Sequence, residues 1–99
     1  MIYIQLISSS GENLQVLLKK AILEQKIKSF ETVQVKGGFK IVHKKYQGTI
    51  KFTTTKGPLI AELSSKRSEN EWQLLEAFVG RLAYHFQAQI AAVNIQFQS

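Results

Sequence analysis

The sequence predicts an α+β fold. It reads as a two-layer sandwich, with a mainly antiparallel sheet carrying two helices on one face, in the order β-α-β-β-β-β-α-β. Three observations predict it. Two segments repeat apolar residues at helical spacing directly after S-x-x-E signals. Three glycine-containing bends divide residues 30–64 into short alternating runs. Both ends of the chain are strand-like. With 99 residues there is one domain, 1–99, long enough for a single core.

Ile2–Ser8 is a β-branched, apolar-rich run and predicts the first strand. Ser9 and Glu12 have capping-box spacing, so a helix is expected to follow and to run to about Gln25. Leu14, Leu17, Leu18, Ala21 and Ile22 make its main stripe. Val16, Leu23 and Ile27 make a thinner one roughly opposite, a hint of contact on two sides.

Residues 30–64 bend at Lys36-Gly37-Gly38, Gln47-Gly48 and Lys56-Gly57. A three-residue loop at 36–38 sets Val35 opposite Phe39. A two-residue loop at 47–48 sets His43 opposite Phe52 and Lys44 opposite Lys51. A two-residue loop at 56–57 sets Phe52 opposite Ala61. The expected inner face is then Val33, Val35, Phe39, Ile41, His43, Ile50, Phe52, Leu59, Ala61 and Leu63. The outer face takes Phe30, Lys40, Val42, Lys44, Tyr46, Lys51, Ile60 and Glu62, with several threonines.

The spacing Ser68-x-x-Glu71 repeats the cap signal and predicts a second helix to about Gln87. Trp72, Leu75, Val79, Leu82 and Phe86 form its main stripe, widened by Leu74 and Phe78. That arc is broader than a one-sided surface helix requires. Ala92–Gln98 closes the chain, with Val93, Ile95 and Phe97 alternating with polar residues as a strand with one dry face. The placement of the two terminal strands is open at this level.

The net charge is +6, unevenly distributed. Residues 19–56 hold Lys19, Lys20, Lys26, Lys28, Lys36, Lys40, Lys44, Lys45, Lys51 and Lys56 against only Glu24 and Glu31. Such a half favours an acidic partner, nucleic acid first among them. Lysine greatly outnumbers arginine, which argues against a dedicated bidentate phosphate or guanine reader. The expected contact set on the sheet is Lys40, Lys44, Tyr46 and Lys51. An alternative is a protein-interaction or assembly subunit, homodimer or hetero-partner. It would use the broad second helix, with Phe78, Tyr84, Val16 and Leu23 at the contact.

Catalytic and metal chemistry find little support. The chain has no cysteine and no aspartate, which removes thiolate sites and many triad and Mg²⁺ arrangements. His43 is expected between Glu31 and Phe52 as a structural pair, and His85 has no reason to converge on it. No cofactor is expected, and Gly37-Gly38 reads as a turn rather than a phosphate cradle. The absence of cysteine fits a cytoplasmic protein, and the first ten residues do not resemble a signal peptide. No run approaches the roughly 20 apolar residues of a membrane span.

Overall fold

The computed structural model describes residues 1–36, 38–54 and 57–98, with Gly38 and Thr54 by backbone alone. Gly37, Thr55 and Lys56 of the expected bends lie outside the described residues. The elements are β1 (Ile2–Ser8), α1 (Leu14–Leu23), β2 (Phe30–Val35), β3 (Gly38–His43), β4 (Thr49–Thr54), β5 (Leu59–Ser64), α2 (Ser68–His85) and β6 (Ile90–Phe97). The α+β order and the antiparallel sheet are as the pattern predicts.

Ile2, Ile4 and Leu6 of β1 are buried on the helix side, and β1 lies inside the sheet. The strand order is β2-β3-β4-β5-β1-β6. The terminal strands pair antiparallel with each other, Ile4 opposite Ile95, and β1 also pairs with β5, Ile4 opposite Ala61. Both helices contribute to one core with the sheet's inner face. Leu14, Leu18, Ala21 and Ile22 enter it from α1; Leu74, Leu75, Phe78 and Leu82 enter from α2. Among the described residues no helix or strand covers the opposite sheet face.

Register departs from expectation at two of three bends. Between β4 and β5 it is as predicted, Phe52 opposite Ala61 and Ile50 opposite Leu63. Between β2 and β3, Val35 lies opposite Gly38, so the loop is one residue shorter than expected. A one-residue slip reverses every side chain of a strand. Phe30, Thr32 and Gln34 therefore point inward, while Val33 and Val35 point outward. The exchange is favourable because Phe30 is 3% exposed and meets Phe78 edge-on at 6.3 Å, so a large aromatic replaces two valines in the core.

Between β3 and β4, Lys40 lies opposite Lys51 and Ile41 opposite Ile50. The connection is residues 44–48, longer than the expected two. Being displaced by an even number of residues, the register keeps its faces. Ile41 and Ile50 thereby become a fully buried pair. The long loop is tied down locally: the Lys45 and Tyr46 N–H groups donate to His43 Nδ1 (3.0 and 3.1 Å), and Lys44 N–H donates to Ser29 C=O (2.9 Å).

The caps also differ. Asn13, not Ser9, caps α1, its Oδ1 accepting from Val16 N–H at 3.2 Å. Glu12 accepts from Ser10 N–H instead, and Ser9 is drawn away by hydrogen bonds to Gln89 C=O and Ala88 C=O. Gln25, at φ 61°, adopts the left-handed conformation that ends the helix two residues earlier than expected. Helix α2 begins at Ser68 itself; Arg67 occupies the cap position without a side-chain bond.

Candidate binding face of the sheet

Alternation along each strand and the observed registers together place one row of side chains across the bare face. It reads Val33, Lys40, Lys51, Glu62, Tyr3, Gln96, one from each strand in spatial order. A second row is Thr53, Ile60, Gln5, Asn94, in which Asn94 Nδ2 donates to Gln5 Oε1 at 2.8 Å. Tyr3, Gln5, Ile60, Asn94 and Gln96 line a shallow depression there.

Lys40 and Lys51 are direct cross-strand neighbours. The expected pair was Lys44 and Lys51; the longer loop moves the like-charge contact to Lys40. Glu62 lies opposite Lys51 on its other side, whereas the cross-strand neighbours of Lys40 are Val33 and Lys51. Like charges directly opposite are mildly destabilising in a sheet. Glu31, next to Val42, is the second acid on this face. The face itself is therefore balanced, two lysines against two glutamates, and less basic than the sequence suggested.

Four further lysines gather at one end of the sheet. There β2 begins, β3 ends, β4 begins and β5 ends, so Lys28, Lys44, Lys45 and Lys66 form an exposed rim. Lys28 and Lys44 border one shallow hollow with Glu31; Lys66 borders another with Gly48 and Ser64. Sequence reasoning missed Lys28 and Lys66. Counting strands would have found them, because connections two apart in an antiparallel meander return to the same end.

The two aromatics expected on the outer face, Phe30 and Tyr46, are elsewhere. Phe30 is in the core. Tyr46 is in the 44–48 loop, its ring stacked on His43 at 4.7 Å, packed against the core and bordering a shallow hollow with Ala77 and Arg81 of α2. Tyr3 is the aromatic on the bare face.

His43 has Phe30, not Glu31, as its cross-strand partner, with the rings edge-on at 4.9 Å. Because Nδ1 accepts two backbone N–H groups, the imidazole is held neutral with its proton on Nε2. Burial foremost, then the Lys45 and Arg81 charges, hold its pKa below the ordinary 6.5. His85 contacts Tyr84 and Phe86 rather than His43. Among the described residues no cluster of three or more His, Cys, Asp or Glu side chains suits a metal ion.

Of the residues expected at a helix-side contact, Val16, Leu23 and Tyr84 are exposed. Phe78 is not: it is 1% exposed at the centre of the core, against Phe30 and Phe52. The α2 arc is rotated from the expected one, so Leu74 and Phe78 point inward and Trp72 emerges, 58% exposed. Among the described residues no helix is long and apolar enough to cross a membrane. No protein-family model, curated protein or solved structure matches the chain.

Proposed function

We propose that the chain is a non-catalytic binding module whose bare sheet face, with its lysine rim, engages an acidic partner, nucleic acid being the first candidate. One observation carries this reading. Lys40 stands opposite Lys51 on a face that nothing in the described chain covers, an arrangement that costs stability alone and that an anion relieves. Lys44, just beyond the end of β3, extends the positive surface toward the rim. Tyr46, turned toward α2, drops out of the expected contact set.

Recognition on these terms is by charge more than by stacking, since among the described residues Tyr3 is the single aromatic on the face. Lysine contacts are point-like and do not impose base identity. Binding of a single-stranded oligonucleotide is thus expected to be sequence-tolerant and salt-sensitive. With three lysines engaged, log Kobs should fall against log salt with a slope of about −2. The test is fluorescence anisotropy of a labelled oligonucleotide across a salt series. The K40E/K44E/K51E variant should lose binding while keeping its circular dichroism. Equal binding by that variant rejects the face as the site.

A further inference from the structure

Strand β6 is the longest in the sheet and lies at its edge. Gln98 N–H donates to Met1 C=O at 3.0 Å. Antiparallel alternation then turns the backbone groups of Gln96 and Asn94 toward β1, and those of Phe97, Ile95 and Val93 outward. An open row of donors and acceptors is a template for another strand, and edges are ordinarily guarded by charge, proline or brevity. The other edge, β2, is guarded: it contains Glu31 and is flanked by Lys28 and Lys36. β6 has no such guard. Residues 82–99 contain no Lys, Arg, Asp or Glu.

The same edge is apolar on its helix side. Phe97 is 54% exposed, Ile95 is 39% exposed, and Trp72 stacks on Phe97 with ring centroids 5.0 Å apart. Helix α2 passes directly into β6 through Phe86, whose C=O accepts from Gln89 and Ile90 N–H, so helix and strand run antiparallel alongside one another. The result is a strip whose marginal backbone has no partner among the described residues, with exposed aromatics above it.

We propose that β6 pairs with β6 of a second copy about a two-fold axis near Asn94, joining two six-stranded sheets into one. Self-complementarity selects this occupant, and charge leaves this approach open to it. At +6, two copies repel each other at most approaches, and β6 is the long uncharged edge at which they can meet. The strand is also self-complementary. Antiparallel pairing about Asn94 sets Val93 opposite the copy's Ile95, and both present outward backbone groups, as a hydrogen-bonded pair requires. Such a contact is isologous and closes at two copies, leaving no further β6 edge exposed. The pairing brings the copy's α2 over the strip and covers Trp72 and Phe97. It leaves the bare face and Lys40 free and stands independently of what that face binds.

The test is sedimentation velocity of the full chain from about 1 to 300 µM, with the emission of Trp72, the sole tryptophan, followed over the same range. The expected result is a monomer–dimer equilibrium, with Trp72 emission moving to shorter wavelength as the dimer forms. Ile95→Lys should give a monomer of unchanged circular dichroism, whereas Val33→Lys, on the opposite edge, should dimerise as the wild type does. A monomer with invariant emission throughout overturns the proposal. So does a dimer abolished by Val33→Lys and retained by Ile95→Lys. If Ile95→Lys fails to fold, the concentration dependence of the wild-type Trp72 emission still decides.

Discussion

Replacing Gly48 by alanine should be among the most damaging single-methyl changes in this protein. Gly48 has φ 138°, a conformation that L side chains rarely adopt. An added Cβ would collide with Leu74 Cδ1 and lie 2.7 Å from Ser64 C=O and 3.0 Å from Ser65 Cβ. Leu74 is fully buried and the carbonyl belongs to the backbone, so neither can simply swing aside. The conformational cost is about 1–2 kcal/mol, and forced overpacking adds about 1–3 kcal/mol. The expected loss is therefore about 2–5 kcal/mol, a large share of the stability of a small domain. Gly11→Ala is the matched control. Gly11 has φ 77° but open space around the would-be Cβ, so only the conformational part applies. Urea unfolding followed by circular dichroism should show Gly48→Ala less stable than Gly11→Ala by at least about 1 kcal/mol. Equal midpoints would refute the claim that the 44–48 loop is locked against Leu74 and the end of β5.

Other consequences are equally open to measurement. His43 has a depressed pKa, so the unfolded chain takes up a proton that the folded chain resists; stability should fall as pH drops below about 6.5. His43→Asn, which keeps an acceptor near the Lys45 and Tyr46 N–H groups but does not titrate, should flatten the dependence of melting temperature between pH 7 and pH 5; an unaltered slope counts against this origin. Asn13→Ala should cost about 1 kcal/mol through loss of the α1 cap, whereas Ser68→Ala should cost a few tenths at most, since no side-chain cap bond is present there. The reverse ranking in thermal unfolding would restore the S-x-x-E reading of α2. Lys40→Thr should raise stability by a few tenths of a kcal/mol, by removing the like-charge pair with Lys51, while weakening anion binding. A variant that is both less stable and fully able to bind would contradict the role given to the pair.

Much of this fold is legible in the residue pattern, and the failures have a common cause. Apolar alternation identified both faces of β3, β4 and β5 because a period of two tolerates even shifts in register. The longer β3–β4 loop therefore cost pairing detail but no face. It could not protect β2, where one residue in loop length reversed the strand and the pattern offered two valines against one phenylalanine. What decided that contest was Phe78 on α2, more than forty positions away in the chain. The helical wheel of α2 failed in the same way. Trp72 is apolar like Leu74, yet it lies outward against Phe97 of β6 while Leu74 is buried. The bare face was found through Lys40 and Lys51, but its balance of charge was not, because Glu31 joined it only when β2 turned over. Tyr46 was misplaced for the related reason that the alternation was continued three residues past the end of β3.

The most direct test of the account is a two-dimensional NMR titration of the labelled protein with a short single-stranded oligonucleotide at low salt. Amide shifts should concentrate at Lys40, Lys51, Val42, Tyr3 and the Lys44 rim and vanish as salt is raised. Shifts confined to α1 and α2, or none up to millimolar ligand, would contradict it.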